Sequence, residues 1–151
     1  MSATTCPECG AAVPDGATCR DNFHALLLLE SEIPGGPGSL AHFYAVASYG
    51  LQHPRSMNYT AETLAGLRAA VADSLDGRTT VADIRRRMSQ QTDGARRVTR
   101  RPGDPEPTWH RGPWPMSVAE VLTVEAEQGA YGTMVERWAR SVRETLDAAR
   151  G

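Results

Sequence analysis

At 151 residues and 16.3 kDa the chain has room for one hydrophobic core and little beyond it. Its 40% hydrophobic and 23% charged residues are those of a folded globular protein and exclude a disordered or fibrous one. A net charge of −2 is too small to hold the chain on nucleic acid or an anionic membrane by charge alone. The longest apolar run, Ala25 to Leu29, is far short of the roughly 20 residues of a bilayer span.

The polar stretch Met1 to Thr5 leads at once to a cysteine pair and has no apolar leader segment, so a cytoplasmic protein is expected. Every basic residue is Arg and none is Lys, which reads as the codon usage of a GC-rich bacterial genome. The Arg residues are unevenly placed. Residues 80–111 carry eight Arg against four acids, a balance of +4, and the remainder carries eight against fourteen, a balance of −6. A basic segment therefore sits on an acidic body.

In chain order, residues 1–20 are turn-rich, without periodicity, and hold a shape only if cross-linked. From Asp21 the pattern is helical, with Phe23, Leu26, Leu27 and Glu30 on one face, and it stops before Pro34-Gly35-Gly36-Pro37-Gly38. Ser39 caps a second helix that runs to about His53, since Pro54 forbids continuation. Thr60 caps a third, with Leu64, Leu67, Val71 and Leu75 facing inward and Gly77 closing it. Thr80 and Asp83 start a short fourth helix with Ile84 and Met88.

Residues 93–115 read as an Arg/Pro/Trp-rich insertion in which Arg96 to Arg101 and Trp109 to Trp114 are placed to form a small β-hairpin (96–114). Ser117 and Glu120 then form a capping box, with Met116 and Val121 as its hydrophobic staple. The helix that follows is expected to reach about Ala149 through Tyr131, Val135, Trp138 and Val142, kinked at Gly129 and Gly132. The expected architecture is all-α: a single domain, 1–151, built as an antiparallel helical bundle with an N-terminal zinc-stapled loop.

Cys6-Pro7-Glu8-Cys9-Gly10 has the form of a zinc knuckle, in which one tight turn offers two thiolates to a tetrahedral ion. Cys19 is a natural third ligand. Three cysteines cannot all pair as disulfides, so metal, Zn2+, is favoured over a disulfide or a redox pair. A zinc deaminase is excluded because its H-x-E precedes the cysteine pair, whereas here the pair comes first.

Among His24, His42, His53 and His110, two compete for the fourth position. His24 lies five residues after Cys19. A hairpin of the first two helices about residue 36 instead sets residue 53 opposite Cys19 and His42 opposite Glu30, which favours His53. His42 and His53 share a helix face but stand ~16 Å apart along the axis, so one ion cannot take both. His42, with Glu30 and Tyr49, is then a candidate catalytic set, and the simpler alternative is a buried His–Glu hydrogen bond.

The elements C-P-E-C-G (6–10), C-R-D-N-F-H-A-L-L-L-L-E (19–30) and H-F-Y-A-V-A-S-Y-G-L-Q-H-P (42–54) resemble an uncharacterised family of small bacterial proteins, a domain of unknown function. W-P-M-S-V-A-E-V (114–121) matches it more loosely. The resemblance implies a signature made of Cys6, Cys9, Cys19, His42, Gln52, His53 and Pro54, with an acid often at the position of His24, and so supports His53 as ligand. It implies no activity.

The leading expectation is a structural zinc in a binding or accessory module, with a small molecule or a protein as partner. The first alternative is a zinc-dependent hydrolase or lyase with its pocket at His42, Glu30 and Tyr49, and His24 as a further lining residue. The second is a phosphate or nucleic-acid binder using Arg85, Arg86, Arg87, Arg96, Arg97, Arg100 and Arg101, with Trp109 and Trp114 stacking on bases. No phosphate loop, nucleophile elbow or dinucleotide fingerprint is present.

Overall fold

A computed structural model describes residues 3–14, 16–91 and 98–150. The protein is mostly helical with one small hairpin. Strands β1 (Ala3–Thr5) and β2 (Ala12–Pro14) pair antiparallel around the cysteine turn. Helices α1 (Cys19–Ser31), α2 (Leu40–Gln52), α3 (Ala61–Leu75), α4 (Val81–Gln91), α5 (Val118–Val121) and α6 (Gln128–Arg150) follow.

Local chemistry sets the helix ends. Thr18 and Asp21 form a reciprocal capping box, which starts α1 two residues before the position that periodicity indicates. The Ser39 hydroxyl accepts from His42 N at the start of α2, and those of Thr60 and Thr80 accept at α3 and α4. Gly77, at φ 71°, ends α3.

Between α1 and α2 the chain turns so tightly that a β-carbon on Gly36 would lie 2.5 Å from the Glu30 carbonyl oxygen. The two helices form the expected antiparallel hairpin. Helix α2 is the centre of the bundle and packs against α3 and α6. The stripe Tyr131, Val135, Trp138, Ala139, Val142 and Leu146 of α6 is buried in the common core with Leu26, Leu51 and Leu64. Gln52 ties this core together: its side-chain amide donates to Met116 O at 2.6 Å, and its carbonyl accepts from the Trp138 indole. Arg143 meets both oxygens of Asp76, and Arg68 meets Asp147, joining α3 to α6.

Two expectations need correction. Among the described residues the small hairpin lies at 3–14, and 98–114 does not form one. Residues 96 and 97 fall outside the described residues, and the backbone of the following segment finds its partners elsewhere. Arg100 N donates to Asn58 O, Thr99 bridges to Tyr59, and Gly112 N and Trp114 N donate to Glu8 O and Cys9 O. Pro102, Pro105, Pro107 and Pro113 supply no N–H for a ladder of their own.

The segment after Met116 is also not one continuous helix kinked at Gly129 and Gly132. It stops at Val121, turns through 122–127 and restarts at Gln128. Ser117 makes no side-chain cap, so the capping box of the sequence does not form, although Met116 and Val121 are both buried. The restart is set by Glu127, whose carboxylate accepts from Gly129 N and Ala130 N at 2.9 and 2.7 Å. The same two bonds hold its acid below the usual glutamate value.

Candidate metal centre

The cysteine turn is shaped by its own backbone. Gly10 N donates to Cys6 O, Cys6 N donates to Ala11 O, and Gly10 adopts φ 80°, a left-handed conformation that glycine supplies without strain. Ala11 N points at Cys9 Sγ at 3.5 Å. The turn is docked on the end of α2 by Glu8, whose carboxylate accepts from Arg55 N, Ser56 N and the Ser56 hydroxyl. From the other side, Gly112 approaches so closely that a β-carbon there would lie 2.9 Å from Cys9 C and Glu8 O.

This docking brings Cys6, Cys9, Cys19 and His53 together, with one potential ligand atom from each and all four within 4.8 Å of one another. Cys9 Sγ and Cys19 Sγ are 3.6 Å apart. That is about the edge of a tetrahedron of sulfurs ~2.3 Å from a central ion, and far outside the ~2.05 Å of a disulfide. All three cysteines are free thiols.

The imidazole of His53 is 1% exposed. Its Nδ1–H donates to Tyr49 O at 2.9 Å, while Nε2 is buried with no hydrogen-bond partner. A buried ring nitrogen fixed as an acceptor and left unpaired fits a metal ligand oriented through its opposite edge. Tyr49 stacks on the His53 ring and Phe23 stacks on Tyr49, each pair with centroids 4.1 Å apart. The hydrogen bond from Cys19 holds the Cys9 thiol below its ordinary value, against the opposing effect of burial. The same bond, with burial and the nearby Cys9 and Cys6 sulfurs, pushes Cys19 up.

His24, the competing fourth ligand, is exposed on α1 and stands outside the cluster. Of the candidate catalytic set, the structure joins His42 and Glu30 but not Tyr49. His42 Nδ1 is 2.6 Å from Glu30 Oε2, and the second carboxylate oxygen accepts from the Tyr131 hydroxyl at 2.8 Å. Tyr49 belongs to the wall of the cysteine cluster. Burial, above all, pushes its hydroxyl up. The ring that does reach Glu30 belongs to Tyr131, 101 residues away in the chain, where helical spacing marks only a core position.

The other candidates separate. Arg86 pairs with Asp83 and Arg87 with Asp73. Arg96 and Arg97 lie outside the described residues. Trp114 is buried with its ring edge-on to His110, and Trp109 is tied through its indole N–H to Leu51 O. Among the described residues, no helix is long and apolar enough to cross a membrane.

A family model described as Family of unknown function (DUF5946) matches residues 4–147, a span that takes in the cysteine turn, His53 and nearly all of α6. The chain belongs to that family. No curated protein and no solved structure matches it. The description of DUF5946 names no activity.

Proposed function

We propose that Cys6, Cys9, Cys19 and His53 bind one Zn2+ in a closed, structural site, and that residues 1–151 act as one zinc-stapled helical module with a binding or accessory role. The unpartnered, buried Nε2 of His53 facing three thiols is the observation that carries this reading. Three sulfurs and one imidazole complete a tetrahedral shell and leave no position for an activated water, which disfavours a hydrolase or lyase working at the metal. Thiolate coordination also fits a reducing, cytoplasmic setting and a borderline-soft ion such as zinc.

A bound ion would hold the cysteines as thiolates and would join three parts of the chain: the knuckle, the start of α1 and the end of α2. Such a site contributes folding free energy outright, of order 10–16 kcal/mol for structural zinc near neutral pH. Metal content settles the matter. Purified without chelator, the protein is expected to hold one zinc per chain, and His53→Ala and Cys19→Ser are each expected to lose it together with cooperative unfolding. Retention of a full equivalent by His53→Ala contradicts the ligand set.

A further inference from the structure

At the opposite end of α2 from the cysteine cluster, a cleft of about 280 Å³ opens between α2, α3 and α4. Its walls are apolar, formed mainly by Leu40, Phe43, Val46, Leu67, Val81 and Ile84. Three polar residues line it: Ser39, whose hydroxyl is engaged by Gly36 O and His42 N, His42 and Arg85.

His42 is held from behind by a buried chain of hydrogen bonds. Glu30, 2% exposed, has one oxygen on His42 Nδ1 and the other on the Tyr131 hydroxyl. Burying a carboxylate to hold a histidine that is itself 37% exposed is a poor stabilising device, because an apolar pair of similar volume serves a core as well or better. The arrangement is instead a good orienting device: the bond fixes Nδ1 on Glu30 and leaves Nε2, the opposite edge of a ring that lines the cleft, outside that bond.

Arg85 differs from its two neighbours. Arg86 and Arg87 meet carboxylates, whereas Arg85 turns to the cleft and donates to the carbonyl of Gly38, which leaves its charge uncancelled by that contact. The first turn of α2, which carries no acidic residue, faces the same space with the positive end of its dipole.

We propose that this cleft is a binding site for a small amphipathic anion, with its carboxylate or similar headgroup accepting from Arg85 and from Nε2–H of a His42 imidazolium, the form that a bound anion selects, and its apolar body along Phe43, Val46, Leu67 and Ile84. The volume suits a ligand at the small end of the usual range, apolar walls with a few convergent polar groups are the common pattern of such sites, and the charge is complementary. Glu30 and Tyr131 are positioning residues that act through His42. The site is independent of the metal centre, since no residue is shared.

The test uses the full, metal-loaded chain and three eight-carbon probes: octanoate, octanol and octylammonium. Octanoate is expected to bind one per chain by calorimetry, at least about tenfold more tightly than either other probe, and to shift the side-chain nitrogen resonances of His42. Arg85→Gln is expected to weaken octanoate about tenfold while leaving octanol unchanged. His42→Gln is expected to remove most of the preference for the acid. Equal affinity for all three probes, octanoate saturation that leaves the His42 resonances in place, or no binding of octanoate overturns the proposal.

Discussion

His53 lies flat against Tyr49, with ring centroids 4.1 Å apart, and donates its Nδ1–H to the carbonyl of that same residue. One turn of α2 thus supplies both the wall that blocks rotation of the imidazole and the acceptor that fixes its tautomer, so the Nε2 lone pair is aimed before any ion arrives. Tyr49→Leu keeps the carbonyl and removes the wall. It is expected to retain metal but to weaken it about 10–100-fold, the usual effect of loosening a group that orients a ligand. Competition against a zinc chelator measures this, and unchanged affinity contradicts the orienting role.

Glu30 is a buried carboxylate with both oxygens engaged. Tyr131→Phe removes one donor and leaves a buried, charged acceptor short of a partner, which is expected to cost about 1–3 kcal/mol in chemical denaturation. The zinc content is expected to stay at one per chain, because the relay and the cysteine cluster use different ends of α2. Loss of metal in this variant contradicts that separation.

The antiparallel pairing of α1 and α2 was legible in the sequence, because the Pro/Gly turn fixes its centre and residues equidistant from position 36 then face each other. Both His42 with Glu30 and His53 with Cys19 follow from it. Tyr131 was not legible as the second partner of Glu30, since no local pattern distinguishes a tyrosine that packs from one that also donates. The break after Val121 was hidden for a different reason. Ser117 and Glu120 carry the spacing of a capping box, but the helix that they precede is a single turn, and the cap that matters is the side chain of Glu127. The path of 98–114 depends on backbone partners in Glu8, Cys9 and Asn58, a long-range pairing that composition does not encode.

Gly112 is required by close approach. Gly112→Ala places a methyl group 2.9 Å from Cys9 C and Glu8 O, both backbone atoms that cannot turn aside. The strap should lift from the knuckle, at about 1–3 kcal/mol of stability and with faster loss of zinc to chelator. Chelator-induced metal release at the wild-type rate contradicts the contact.

Glu127 tests the restart of the last helix. Its carboxyl is held below the usual 4.5 by the N–H groups of Gly129 and Ala130, so the folded state binds the proton less readily than the unfolded chain. The contribution of this cap is complete above pH 4.5 and is lost as pH falls through the lower, folded-state value. Glu127→Ala should therefore lower Tm near neutral pH, and the gap to wild type should close in acid. A gap independent of pH contradicts the charge-assisted cap.

X-ray absorption at the zinc edge, on protein purified without chelator, reads the ligand shell itself. The proposed zinc site predicts a shell of three sulfurs near 2.3 Å and one imidazole nitrogen near 2.0 Å, with the nitrogen lost in His53→Ala. A shell of three sulfurs with an exchangeable oxygen, unchanged by that substitution, contradicts a closed structural centre.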